Sequence, residues 1–124
     1  IKISKKGRLV INKIDCKIDC GICINPNQVI SQAEGGIMMG ISMLLNEEIT
    51  FENGMVVQSN YDDYKIAKMK NTPEMNISIV KSSLPPAGIA EAVVAPVMPA
   101  ITNAIFAATG KRIRKLPIGK QKLV

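Results

Sequence analysis

Apolar and polar residues alternate from Ile1 to Lys5 and again from Arg8 to Cys20, with the turn-forming run Lys5-Lys6-Gly7 between them. Period-two alternation sends successive side chains to opposite faces, so the two runs read as strands of an opening hairpin. In the second run Ile14, Cys16, Ile18 and Cys20 share one face, and Lys13, Asp15, Lys17 and Asp19 the other. Gly21, Pro26 and Asn27 break the pattern. From Asn27 to about Leu45 the spacing becomes that of a mostly buried helix, with Asn27 as its N-cap. EEITFENGMVVQSN reads as a second hairpin turning at Asn53-Gly54, a strong turn dipeptide. Residues 61–73 read as irregular chain or a short helical turn ending at Pro73, MNISIVKSS as a further strand, and LPPAGIAE as a loop. A last helix is expected from Pro96 to Thr109, closed by Gly110. Together these elements predict an α+β fold: a mixed, largely antiparallel sheet of about five strands built from hairpins, with two main helices packed on it.

Composition narrows the picture. A chain of 124 residues fits one domain, residues 1–124, with enough length for a real core but little for a separate cofactor domain. With 47% hydrophobic residues, only 3% aromatics and seven Met, that core is expected to be aliphatic. No run of about 18 apolar residues is present, so no membrane span is expected, and IKISKKGRLV has no signal-peptide pattern. The chain begins with Ile, as a piece of a longer protein would. The net charge of +6 is local: residues 1–110 hold ten basic and ten acidic residues, and the excess is Lys111, Arg112, Arg114, Lys115, Lys120 and Lys122. No aromatic residue is interleaved with these charges as base stacking requires, so nucleic-acid binding is not expected. The tail reads as a solvated terminus or as a segment docked on a partner.

Cys16, Cys20 and Cys23 have the C-x3-C-x2-C spacing that holds an iron–sulfur cluster in enzymes using S-adenosylmethionine. The strand argues otherwise. Cys16 and Cys20 lie on its apolar face, where free cysteine is a small core residue, and neither can wrap a cluster while the strand stays paired. An odd count and this geometry also disfavour a structural disulfide. Metal ligation is therefore not expected.

Two other stretches carry candidate chemistry. In QAEGGIMMGISM, Gln32, Gly36 and Gly40 are spaced by four and share a helix face. Glycine inside a helix costs about 1 kcal/mol relative to alanine, so something approaches closely there: either another element, or a ligand that Gln32 hydrogen-bonds. In GIAEAVVAP a single carboxylate, Glu91, stands among glycine, alanine, valine, isoleucine and proline. An ionised group in a dry surrounding costs several kcal/mol unless it is paired or its pKa rises. Glu91 thus reads either as a working acid or base, or as a residue favouring the dipole of the following helix.

The ordered succession CKIDCGICINP, QAEGGIMMGIS, SNYDDYKIAKM, LPPAGIAEAVVAP and ITNAIFAATGKRIRKLP resembles the carboxy-terminal part of the molybdenum-binding large subunit of the xanthine dehydrogenase and aldehyde oxidase family, nearest to the isoquinoline 1-oxidoreductase β-subunit type. That resemblance covers nearly the whole chain. It implies a molybdopterin-type cofactor held between domains, in a cytosine-dinucleotide form in some members. It also implies partners: the remaining domains of the large subunit, an iron–sulfur electron-transfer subunit or domain, and a small-molecule substrate. Members oxidise an aldehyde or an N-heterocycle with oxygen derived from water. The Q-x-E-G-G segment implies that Gln32, with Gly35 and Gly36, lies at the pterin. The G-x-G-E segment implies that Glu91 is the catalytic general base, with Gly88 and Ala90 beside the cofactor. As an isolated fragment the chain is expected to be inactive and to bind no cofactor. The alternative is a non-catalytic assembly or docking module of such a complex.

Three departures from the pattern stand out. Ala90 replaces the second glycine of the common G-V-G-E-P segment, and Ala92 replaces the proline after the glutamate. Asp62 stands where the subgroup often has histidine. The adjacent acids Asp62 and Asp63 read as a solvated loop pair.

Overall fold

The computed structural model describes residues 1–119 and 121–124. Among them are six strands, β1 (Lys2–Ile3), β2 (Leu9–Val10), β3 (Lys13–Ile18), β4 (Phe51–Glu52), β5 (Met55–Val56) and β6 (Glu74–Ile79), and two α-helices, α1 (Pro26–Leu45) and α2 (Val94–Thr109). The α+β class is as expected. The sheet is not one layer of hairpins but three two-stranded sheets, β1–β2, β3–β6 and β4–β5.

The opening hairpin is shorter than its alternation suggests. Only Lys2 and Ile3 pair with Val10 and Leu9, antiparallel, around a turn in which Gly7 has φ +77° and donates to the Ser4 carbonyl at 2.8 Å. Beyond Val10 the chain leaves this partner, and β3 pairs in parallel with β6, from Lys13 beside Glu74 to Ile18 beside Ile79. This register places Ile14, Cys16 and Ile18 beside Met75, Ile77 and Ile79, the more buried residue of each successive pair in both strands. Lys13, Asp15 and Lys17 stand on the exposed face with Glu74, Asn76 and Ser78. There Lys13 pairs with Asp15 at 2.9 Å, and Asn76 donates to the same carboxylate at 3.0 Å. The β4–β5 hairpin turns where expected, with Asn53 and Gly54 at φ +50° and +77°. Positive φ at both central positions gives the twist a tight hairpin needs.

The cap of α1 is Asn25 rather than the expected Asn27: its side chain accepts from the Gln28 amide at 3.3 Å, and Pro26 occupies the first helical position. Proline suits that position because its missing N–H would have no helical partner, and it disfavours helical geometry in the residue before it. Helix α2 begins two residues before the expected Pro96, which falls in the first turn, where a donor is not needed. It ends as expected at Gly110, left-handed at φ +73° and donating to Phe106 at 2.7 Å. Pro99 lies inside the helix.

The core is aliphatic. Ile37, Ile41 and Leu44 of α1 meet Val97, Ile101 and Ile105 of α2, with Ile11, Ile118 and Leu123 completing the cluster. A smaller cluster holds Ile18, Cys20, Ala33 and Val93. The apolar residues of the basic tail pack on this core, while Lys111, Arg112, Arg114, Lys115 and Lys122 stay exposed. Ile118 and Leu123 are buried, the Ile118 and Gly119 amides bond the Leu44 and Leu45 carbonyls at 2.7 and 3.1 Å, and Arg112 stacks over Phe106 at 3.5 Å. Lys111 reaches the Lys122 carbonyl. Lys120 lies outside the described residues. No helix among the described residues is long and apolar enough to cross a membrane.

Candidate functional site

The site is built on the sharp turn that ends β3. Gly21 adopts φ +68°, a conformation that glycine reaches without strain, and its amide donates to the Asp19 carboxylate at 3.0 Å. The Ile22 amide then bonds the Leu84 carbonyl, and the Ala87 amide bonds the Cys20 carbonyl, each at 2.9 Å. The Leu84–Ala87 stretch of the LPPAGIAE loop is thus tied to the cysteine-containing turn. This link joins positions more than sixty residues apart, and no local pattern in the sequence announces it. The Asp-Cys-Gly run signals only the turn itself, in which a carboxylate two residues before a glycine can close the chain locally.

From this anchor the loop runs through Ile89, half-buried against the smaller core cluster, to a turn at Ala90–Val93 that leads into α2. The stripe on α1 receives that turn. A Cβ on Gly36 would overlap a Val93 methyl and lie 3.3 Å from the Ala90 carbonyl oxygen; one on Gly40 would lie 2.8 Å from the Val94 carbonyl oxygen. Of the two sequence readings of these glycines, close helix packing is therefore present at both. Gln32, at the exposed end of the stripe, lies beyond the contact. It lines an open cavity of about 680 Å³ with Asn25, Asn27, Gln28, Val29, Ser31 and Ile89. The structure thus brings the start of the α1 motif and the loop that carries Glu91 to one cavity, and Ile89 is two residues from the carboxylate.

The remaining expected residues differ in placement. Gly35 and Gly88 face open space, with no atom within 4 Å of where a Cβ would stand. Ala90 is exposed, as is Glu91. The dry surrounding expected for Glu91 is absent from this chain, because Ile89 and Val93 turn inward while Ala90, Glu91 and Ala92 face outward. The Glu91 carbonyl accepts the Val94 amide at 3.0 Å, and no side chain caps the start of α2.

Cys16 lies on the inward face of β3, whereas Cys20, expected on the same strand, falls in the turn beyond Ile18. Cys16 and Cys23 are half-buried and Cys20 is buried, all three as free thiols. Burial pushes the Cys16 thiol pKa up, and burial together with the neighbouring Cys20 does the same at Cys23. Among the described residues no three His, Cys, Asp or Glu side chains are grouped to hold a metal ion. Since the thiolate is the reactive form, Cys16 and Cys20 should label slowly with a thiol reagent at neutral pH and rapidly once the chain is unfolded. Fast native labelling of both would contradict this packing. In the SNYDDY loop, Asp63 closes a turn by accepting from the Ser59 and Asn60 amides at 2.9 and 3.1 Å, which holds its carboxyl below the usual range.

The molybdopterin cofactor-binding domain family model matches residues 4–73. The isoquinoline 1-oxidoreductase subunit β of Brevundimonas diminuta is 34% identical over 113 residues, 91% of this chain and 14% of that protein. The membrane-bound aldehyde dehydrogenase [pyrroloquinoline-quinone] of Gluconacetobacter polyoxogenes is 37% identical over 112 residues, 90% of this chain and 14% of that protein. In three dimensions the quinoline 2-oxidoreductase of Pseudomonas putida 86 superposes with a TM-score of 0.86 over 96% of this chain and 16% of that one, at 24% identity, a likeness of fold. The chain belongs to the molybdopterin cofactor-binding domain family, as the resemblance implied. It spans about one seventh of the length of these curated relatives, 14% in each.

The cavity's residues fit such a cofactor. A pterin presents ring nitrogens, an amino group and a carbonyl, and the amides of Asn27, Gln28 and Gln32 and the hydroxyl of Ser31 both donate and accept. Gly35 and Gly88 do not line this cavity; Gly35 borders a separate hollow with Ser31, Glu34, Met38, Thr72, Pro73 and Met75.

Proposed function

We propose that this chain is the part of a molybdenum hydroxylase large subunit that holds one side of the molybdopterin and supplies the general base. The parent enzyme oxidises an aldehyde or an N-heterocycle with oxygen from water. The observation that carries this reading is the cavity shared by Gln32 and Ile89, which sets an amide-rich helix start beside the loop bearing Glu91.

In this reading Gln32, with Asn27, Gln28 and Ser31, hydrogen-bonds the pterin edge. The cofactor supplies the two-electron oxidation. The Glu91 carboxylate takes the proton from the water-derived oxygen as that oxygen attacks the substrate carbon, general-base catalysis by a positioned side chain. The exposed face of Glu91 leaves it open to the remaining domains of the large subunit. Electrons leave to an iron–sulfur partner. Without those domains the cavity stays open to solvent, so the isolated chain holds no cofactor and is inactive. The alternative is a non-catalytic docking module, for which the exposed Lys111, Arg112, Arg114, Lys115 and Lys122 of the tail would be the contact surface.

Gln32→Ala in the complete enzyme tests the reading. One hydrogen bond to the cofactor is worth about 0.5–1.5 kcal/mol, so cofactor affinity should fall by roughly 2–12-fold. Molybdenum and pterin content after dialysis should be lower than in the parent. Content and turnover both equal to the parent's would show that the cavity is not the pterin site.

A further inference from the structure

The loop that carries Glu91 has little burial to hold it. Residues 83–88 are all exposed, and Pro85 and Pro86 have no amide to donate. The two hydrogen bonds from the β3 turn bracket those prolines, at Leu84 on one side and Ala87 on the other. Proline fixes φ, so a stretch pinned at both ends around two prolines is stiff. Four residues after Ala87 comes Glu91, with the half-buried Ile89 between them.

We propose that the Asp19–Ile22 turn is the positioning anchor of Glu91, with Gly21 as its determining residue. Two independent demands make glycine necessary there. The backbone is at φ +68°, and a Cβ would overlap the Pro85 carbonyl oxygen and lie 2.7 Å from the Leu84 carbonyl oxygen. Both obstacles are backbone atoms of the stretch being held, so no rotamer change relieves them; the loop must move. Asp19 closes the turn from below through its bond to the Gly21 amide. The catalytic part of this proposal rests on the general-base reading of Glu91; the mechanical part does not.

The test uses the complete enzyme and two measurements, turnover per bound molybdenum and hydrogen exchange of the peptide containing Ala87. Misplacing a reacting group by about 1 Å can cost on the order of 10²-fold, so Gly21→Ala should lower turnover roughly 10–100-fold, with KM and molybdenum content near the parent's and faster exchange at Ala87. Asp19→Ala should act in the same direction more weakly, and Asp19→Asn, which keeps an acceptor oxygen, should restore the parent's behaviour. If Gly21→Ala does not fold, this Asp19 pair carries the test. Because the anchor acts through Glu91, Gly21→Ala added to Glu91→Gln should cost little beyond Glu91→Gln alone. Unchanged exchange with unchanged turnover overturns the proposal, as does a loss accounted for entirely by missing molybdenum, or one that is undiminished in the Glu91→Gln background. Glu91→Gln turning over at the parent's rate sinks the base reading instead. The exchange comparison then decides the anchor alone, faster supporting it and unchanged overturning it.

Discussion

Glu91→Gln in the complete enzyme should lower turnover per bound cofactor by roughly 10²–10⁴-fold, the contribution typical of a positioned general base. Glutamine keeps the size of the side chain and most of its hydrogen bonding but has no basic oxygen. Folding should not change, because Glu91 is exposed in this chain and helix α2 takes its first bond from the Glu91 carbonyl, which the substitution keeps. Had the carboxylate served only the helix dipole, the loss would be about 1 kcal/mol or less of stability, with turnover intact. Normalising the rate to molybdenum content separates the two, since it removes any defect of assembly. A variant with full cofactor and near-parental turnover would make the carboxylate of GIAEAVVAP structural.

The largest stability effect should come from the helix pair. Ile105 is wholly buried, in the cluster that holds Ile37, Ile41 and Leu44 of α1. Ile105→Ala removes its buried methyl groups and leaves a cavity, at a cost of about 2–5 kcal/mol. Total stabilities are about 5–15 kcal/mol, so this is a large share. Collapse of the surroundings sets the value within that range. Urea unfolding of the chain should show a lower midpoint at an unchanged slope. Ile24→Ala is the control: Ile24 is 86% exposed, and its loss should cost within about 0.5 kcal/mol. Equal midpoints for the two variants would contradict the assignment of the core.

Much of this architecture can be read from residue patterns, and the misses have physical reasons. The alternation of Ile14, Cys16 and Ile18 determines which side chains turn inward, and the structure agrees. Alternation says nothing about the partner, so β3 was expected in a hairpin and is instead parallel to β6, with all of α1 lying between the two in the chain. Asn53-Gly54 and Gly110 read correctly because their positive φ values are local demands of the turn and the helix end. The N-cap lies two residues before Asn27 because Pro26, which breaks the strand pattern, is also the first residue of α1.

At the candidate site the same division holds. Gly36 and Gly40 signalled close approach, and the approaching element is the start of α2. The tie between Gly21 and the Leu84–Ala87 stretch joins distant positions, and no local pattern announces it. Glu91 shows a different limit. Apolar neighbours along the chain are not apolar neighbours in space, and here Ile89 and Val93 turn inward, away from the carboxylate. In the tail, charge masked the apolar Ile118 and Leu123, which the core takes up.

The central claim is that the Gln32 cavity and the Glu91 loop form one side of a molybdenum site. Anomalous scattering at the molybdenum absorption edge, recorded from crystals of the complete enzyme, locates the metal directly. The account predicts a single strong peak beside the Glu91 carboxylate, with pterin density extending into the cavity lined by Gln32, Gln28 and Ile89. A molybdenum peak remote from Glu91, with that cavity filled by another part of the protein, would contradict it.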